Sequence, residues 1–199
     1  MTTRLVRRTD LRAVTALLTR SFAEDPLFGW FFPDPATRSV LTGAWMRNSV
    51  ELSMHTGHAF VSVDEAGTPV AAALWCPPDV ELFDTDGFRP RWSLLVGANP
   101  TRVEELREGL GLLAAAHPHE PGHFYLNTIG VDPDRRSQGL GRPLMQRVLT
   151  VADREHVPCY LESSSELNVS FYVRHGYKVI DQIELPNGPI IRALWREPQ

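Results

Sequence analysis

Hydrophobic positions along this chain repeat with two different periods, and the switches between them mark the elements. Residues 4–8 read as a short first strand, after which Leu11, Val14, Leu17, Leu18 and Phe22 recur at helical spacing behind the capping oxygens of Thr9 and Asp10. Turn residues at Asp25-Pro26 and Pro33-Asp34-Pro35 bracket Phe28, Trp30, Phe31 and Phe32, which predicts a loop carrying an apolar cluster. A helix is predicted over 38–56. Strand-like runs at 59–63 and 69–76 flank the turn at 64–68, the pattern of an antiparallel pair, and Pro77-Pro78 ends the second run.

Residues 77–100 are rich in Pro, Gly and Asp and lead into a helix with Val103, Leu106, Leu110 and Leu113 on one face. The stretch at about 77–118 therefore reads as a helical insertion between strands. A strand follows over 124–131, then a polar loop, a helix with Leu144, Met145, Val148, Leu149 and Ala152 on one face, and a strand over 159–162. Such a strand–helix–strand crossover joins parallel strands. A short helix at 167–174 and strands at 177–185 and 190–195 complete the order, with Asn187-Gly188 predicted as a type I′ hairpin turn. No internal repeat or linker composition divides the chain, so its 199 residues read as one α/β domain over 1–199.

Composition narrows the function. Twenty Lys+Arg face 24 Asp+Glu, a formal net charge of −4, so no strong positive field draws nucleic acid or an anionic membrane surface. No apolar run approaches the roughly 20 residues of a membrane span. The basic N-terminus lacks the apolar core of a secretory leader, and Cys76 and Cys159 have no metal-like or disulfide-like spacing. These features predict a cytoplasmic protein with two buried, reduced thiols. His55, His58, His117 and His119 lack the grouping of a zinc site and read as surface or capping residues, so no metal is assigned.

The chemistry concentrates in one loop. From Val131, Asp132-Pro133-Asp134-Arg135-Arg136-Ser137-Gln138-Gly139-Leu140-Gly141-Arg142-Pro143 runs from a strand end into a helix start. Two glycines one residue apart let backbone N–H groups turn to a common point, where the helix dipole adds about half a positive charge. That point suits a pyrophosphate. Arg135, Arg136 and Arg142 supply guanidinium forks for phosphate oxygens. The phosphate-loop pattern G-x-x-x-x-G-K-[ST] is absent, and the dinucleotide fingerprint fails because Leu144 stands where its third glycine belongs.

The loop Arg136-x-x-Gly139-x-Gly141 after a Val-Asp-Pro strand end resembles the acyl-CoA loop of the GNAT superfamily of N-acetyltransferases, and the element order resembles that fold through almost the whole chain. Within the superfamily, the last 80 residues look most like the puromycin N-acetyltransferase branch. The shared features are Glu120-Pro121, Thr128-Ile129-Gly130-Val131, Val157-Pro158, Leu161-Glu162-Ser163-Ser164, Asn168 with Phe171-Tyr172, Gly176-Tyr177 and the closing Leu185-Pro186-Asn187-Gly188-Pro189.

The resemblance implies a mixed, mostly antiparallel twisted sheet of six to seven strands, a central parallel pair that splays apart, and helices on both faces. It implies acetyl-CoA as cosubstrate, held by Ile129, Gly130, Val131, Arg136, Ser137, Gln138, Gly139, Leu140, Gly141, Arg142, Asn168, Phe171 and Tyr172. The Ile129 N–H would meet the thioester oxygen, and Tyr172 would act as general acid toward the departing thiolate. No motif fixes the base, for which Glu162 and His123 are the candidates. Phe28, Trp30, Phe31 and Trp75 are nominated for the acceptor pocket, although each reads more readily as plain core. The expected acceptor is a small-molecule primary amine, with a protein N-terminus or lysine as the alternative and a non-catalytic acyl-CoA sensor as a third reading. Monomer and homodimer both remain open.

Overall fold

The computed structural model describes residues 1–78, 80 and 85–199. Seven strands form one sheet in the order β1-β2-β3-β4-β5-β7-β6: β1 Thr2–Leu5, β2 Ala59–Val63, β3 Pro69–Cys76, β4 Phe124–Val131, β5 Cys159–Ser163, β6 Lys178–Glu184 and β7 Ile190–Arg196. Every neighbouring pair is antiparallel except β4 and β5. The helices are α1 Leu11–Ser21, α2 Pro26–Phe31, α3 Pro35–His55, α4 Thr85–Ala98, α5 Val103–Ala116, α6 Gly141–Glu155 and α7 Glu166–Val173.

The sheet separates two cores. On one face Val14, Leu17, Leu18, Phe28, Phe31, Met46 and Val50 from α1, α2 and α3 pack on Val61, Ala72, Leu74, Tyr125 and Tyr160. On the other, Leu144, Met145, Val148, Leu149 and Ala152 form the predicted stripe of α6 and pack on Ala71, Ala73, Trp75, Phe124, Leu126 and Leu161. Both thiols are buried and free, and burial pushes each up to about 12. No described helix is long and apolar enough to cross a membrane.

Several local expectations are corrected. The first strand is Thr2–Leu5, not 4–8, because the Asp10 carboxylate does not cap α1. It takes Arg4 at 2.5 and 3.1 Å and the Arg7 N–H at 2.8 Å, which folds Arg8–Asp10 into a 3-10 turn. The aromatic loop is the helix α2. Asp25 accepts from the N–H groups of Leu27 and Phe28 at 2.9 and 3.2 Å, and Pro26 sits at its first position. Asp34 and Pro35 start α3 in the same way, three residues ahead of the predicted 38.

The insertion holds two helices, and α4 runs through Pro90. The closing turn is not type I′. Pro186 and Asn187 are its central residues, the Gly188 N–H reaches the Leu185 carbonyl at 3.0 Å, and Asn187 alone among the turn residues has a positive φ, 48°. Type I′ needs positive φ at both central positions, which proline cannot adopt.

Arg196 pins the C-terminal end of the sheet. Its guanidinium binds both Asp153 oxygens at 2.6 and 2.9 Å and the His175 carbonyl at 2.8 Å, and its side chain is 3% exposed. Arg196→Met is expected to cost about 3 kcal/mol, since a near-buried cation–carboxylate pair is broken. Thermal unfolding should show a drop of roughly 6–12 °C for a chain of this length. The Arg196 hydrogen bond holds the Asp153 carboxyl below its usual range. The pair's contribution is therefore full above about pH 4 and lost as pH falls through that lowered value. The gap between wild type and variant should accordingly narrow only in acid.

Candidate active site

The parallel strands β4 and β5 are paired only at Phe124–Cys159 and Tyr125–Tyr160, and beyond that point they part. A register shift opposite Leu74 and Trp75 leaves Asn127 as an extra residue in β4. Such a bulge adds local twist and reverses which side chains face which way. Phe124 and Leu126 face α6 before it, and Ile129 and Val131 face α6 after it.

The ladder also fixes the main-chain groups. Asp132 donates to the Val70 carbonyl at 2.9 Å, in register with Ala72↔Gly130 and Leu74↔Thr128. By the alternation of an antiparallel pair, Thr128 and Gly130 bond toward β3. Ile129 and Val131 turn their N–H and C=O groups into the gap between β4 and β5, where the Ser21 hydroxyl takes the Val131 carbonyl at 2.9 Å.

The glycine loop closes one end of this gap. Ser137 and Gly139 have φ of 63° and 74°, a conformation open to glycine and strained for most side chains, and a Cβ on Gly139 would meet nothing within 4 Å. The helix α6 starts at Gly141 without a side-chain cap, so the first-turn N–H groups and the dipole are presented at the loop. A Cβ on Gly141 would lie 3.0 Å from Phe171 Cζ and 3.7 Å from Ile129 Cδ1. Loop, α7 and β4 thus converge at one point.

Ser137 and Gln138 are exposed in the loop, while Leu140 is buried and anchors it. Arg136 donates to the Ser21 carbonyl at 3.0 Å, and Arg135 pairs with Asp64 at 3.1 Å. Arg142 is exposed and has no side-chain partner among the described residues. These features fit a phosphorylated, extended ligand: an uncapped helix start with a free guanidinium at one end and unpaired strand edges along the gap.

Tyr172 stands at the far end of α7, buried, and its hydroxyl makes no hydrogen bond to another described residue. Burial, with the nearby Asp25 carboxylate second, holds its phenol above the usual range. Asn168, one turn earlier, is exposed. Asp25 is half-buried, and desolvation holds it above the usual carboxyl range against hydrogen bonds from Ser164 Oγ at 2.6 Å and two α2 amides.

On the opposite face of the sheet Glu162 is 12% exposed. Its Oε2 accepts from the Tyr125 hydroxyl at 2.5 Å, and its Oε1 lies 3.4 Å from His117 Nδ1. His117 Nε2 meets His123 Nε2 at 3.2 Å, and His123 Nδ1 donates to the Pro121 carbonyl at 3.1 Å. Burial pushes His123 below the usual imidazole range, with the Pro121 bond opposing. Both base candidates therefore lie in one cluster. His117, read from the sequence as a surface or capping residue, does cap the end of α5, but its place beside Glu162 was not foreseen, nor were Tyr125 and Asp25 as parts of the site. Among the described residues no three His, Cys, Asp or Glu side chains are grouped as a metal site.

Two groups of nominated residues are corrected. Gly130 does not face the gap, because its main chain bonds to β3 and its missing side chain makes room for α1. The four acceptor-pocket aromatics are core. Trp75 is 0% exposed on the α6 face. Phe28 and Phe31 pack edge to face at 5.9 Å, and Phe31 lies 4.9 Å from Trp45. Trp30 Nε1 donates to Glu105 at 3.1 Å and to the Pro186 carbonyl at 2.9 Å, which locks α2 to α5 and the closing turn. An apolar cavity of about 350 Å³ lies instead between α4 and α5, lined by Phe88, Trp92, Arg107, Leu110, Gly111 and Ala114.

Against known proteins, the profile of the Acetyltransferase (GNAT) family matches residues 18–177. The chain belongs to this family. Among solved structures it is similar to the Corynebacterium glutamicum "histone acetyltransferase HPA2 and related acetyltransferase", with 25% identity, 100% of this chain and 96% of that chain covered, and a TM-score of 0.71. The Drosophila melanogaster polyamine N-acetyltransferase shares its fold at 18% identity, 98% and 99% coverage and a TM-score of 0.67. Arylalkylamine N-acetyltransferase 2 from Aedes aegypti does so at 12% identity, 100% and 99% coverage and a TM-score of 0.66. GNAT acetyltransferases use acetyl-CoA, and the gap and loop described above have the form such a ligand requires.

The same geometry makes Gly130 a stability determinant. A Cβ there would fall 2.8 Å from Leu18 Cδ2 and 2.9 Å from Ser21 Cβ, so α1 must move. Gly130→Ala should cost about 1–3 kcal/mol, as overpacked cores do, and should lower the urea midpoint with the m-value unchanged.

Proposed function

We propose that this GNAT protein transfers an acetyl group directly from acetyl-CoA to the primary amine of a small molecule. The observation that carries this reading is the meeting of three elements at the β4–β5 gap. On this reading Tyr172 and Ile129 would serve the gap from the α6 side of the sheet and Glu162 from the other. Gly139, Leu140, Gly141 and Arg142 would hold the pyrophosphate and neighbouring phosphates, with Arg136, Ser137 and Gln138 shaping the loop. The Ile129 and Val131 main chain would pair with the pantetheine arm, Asn168 would bond its amides, and Phe171 would pack on it.

Acetyl-CoA supplies the activated acyl group. The Ile129 N–H would meet the acyl oxygen as negative charge develops there, and one preorganised donor of this kind is worth roughly 2.7–4 kcal/mol. Glu162, held by Tyr125 and His117, would take the amine proton. His123 is the weaker base candidate, because both of its nitrogens are already engaged. Tyr172, which burial keeps protonated, would give its proton to the departing sulfur.

The polyamine, agmatine and arylalkylamine acetyltransferases of the same fold favour a small amine over a protein acceptor. The likeness of the last 80 residues to puromycin N-acetyltransferases supports an aminonucleoside or other xenobiotic amine, acted on in the cytoplasm, with antibiotic resistance as one role.

Release of CoA thiol should be measured against puromycin, arylalkylamines, agmatine, polyamines and short peptides. Turnover of a small amine is expected, and Tyr172→Phe should lower kcat about 100-fold while acetyl-CoA still raises Tm as a native-state ligand does. Unchanged turnover in Tyr172→Phe would remove its role as acid. Silence across the panel with the Tm rise intact would favour a sensor.

A further inference from the structure

Arg91, on α4, is a buried cation without a counter-ion. Its residue is 4% exposed, and among the described residues no carboxylate pairs with it. One Nη donates to the Ser49 hydroxyl at 3.0 Å, whose own hydrogen goes to the Trp45 carbonyl at 3.1 Å. The guanidinium carbon lies 5.3 Å from the Trp45 ring centroid, and Nε is buried with no partner. Desolvation pulls this guanidinium down to about 10. Arg196, as deeply buried but bound to Asp153, moves the other way. An unpaired ion in a dry interior is costly, and an apolar side chain of similar volume would be tolerated better. The cost is recovered when a partner of opposite charge arrives.

Arg91 lies on the Glu162 side of the sheet. Leu95, one turn further along α4, packs in one core cluster with Tyr125 and Tyr160, and the Arg91 charge reaches Tyr125. The Tyr125 hydroxyl in turn binds Glu162 at 2.5 Å. No Lys or Arg pairs with Glu162 among the described residues, its partners being Tyr125 and His117. Tyr160 stacks on Tyr125 with centroids at 5.9 Å, and its buried hydroxyl has no hydrogen-bond partner. One fixed negative charge, one fixed positive charge and a spare hydroxyl therefore surround Tyr125.

We propose that Arg91 selects an acceptor that carries a carboxylate as well as its primary amine, a zwitterion of the amino-acid class. This narrows the proposed function and rests on its reading that the amine meets Glu162. The ammonium of such a molecule answers Glu162, and its carboxylate answers Arg91. The Nε–H and the Nη hydrogens not given to Ser49 are unspent, and a guanidinium takes a carboxylate through two parallel N–H bonds. The Tyr160 hydroxyl can donate to the same carboxylate. A polyamine would set a second cation against Arg91, and a plain amine would leave the guanidinium as costly as before.

The test compares amines that differ by one carboxylate, phenylalanine with phenethylamine and γ-aminobutyrate with propylamine, on wild type, Arg91→Met and Arg91→Lys. Wild type is expected to favour at least one zwitterion over its plain partner by about tenfold or more in kcat/KM, the scale of one hydrogen bond to a charged group. In Arg91→Met the ratio should fall to near one, chiefly through KM for the amine, and Arg91→Lys should keep part of it. A wild-type ratio near or below one for both pairs would overturn the proposal, as would a preference that survives Arg91→Met. Turnover of puromycin or a polyamine with neither zwitterion accepted would overturn it while the proposed function stood. Unliganded Tm separates selection from packing. Removing an unpaired buried cation should leave Tm at or above wild type, and a fall of about 6 °C or more would make Arg91 a strap between α3 and α4 and end the proposal. Were every amine left unacetylated, the proposed function would fall, and calorimetric titration of the CoA-bound protein with both zwitterions would decide Arg91 by itself. Binding that Arg91→Met abolishes would support it, and no binding would overturn it.

Discussion

The structure turns on a pairing that stops early. The strands β4 and β5 share two residue pairs and then separate, and the extra residue at Asn127 supplies the twist that parts them. In an ordinary parallel pair the N–H groups of Ile129 and Val131 would be spent on the neighbouring strand. Here they are left over, and leaving them so is tolerable only beside water or a ligand that completes them. The loop at Gly139, the open start of α6 and the turn of Tyr172 toward Asp25 all take their places around that unfinished edge.

The two faces of the sheet then divide the labour. The α6 face is almost wholly apolar, and its rigidity fixes Leu140, Gly141 and Phe171 relative to β4. The other face mixes aromatic packing with polar groups that satisfy one another, as Glu162, Tyr125, His117 and His123 do. Trp30 and Asp25 join the two functions. Trp30 lies in the short α2 and Asp25 caps it, and each reaches away from it, Trp30 to the closing turn and Asp25 to Ser164 at the mouth of the gap.

Much of this was legible in the chain itself. The alternation over 59–76 and the five-residue stripe of α6 identify elements whose burial comes from one long face. The spacing of Arg136, Gly139 and Gly141 identifies the loop because local backbone geometry demands those residues. What escaped was either short or distant in sequence. α2 spans barely more than one helical turn, so no period could reveal it. α4 carries Pro90 and takes its helicity from packing against α3 rather than from propensity. His117 meets Glu162 across 45 residues, a contact no local pattern encodes, and the aromatics of α2 gave no sign whether they would wall a pocket or fill a core.

The sheet order has a consequence for how the chain is made. β7 lies between β5 and β6, so the strand synthesised last is an interior one. While the ribosome is still adding residues 190–196, β6 has no partner and β5 presents an open edge. The sheet thus exists as two unjoined pieces until translation of that strand is complete, and a nascent chain stalled just short of it would expose the edge that chaperones and aggregation compete for.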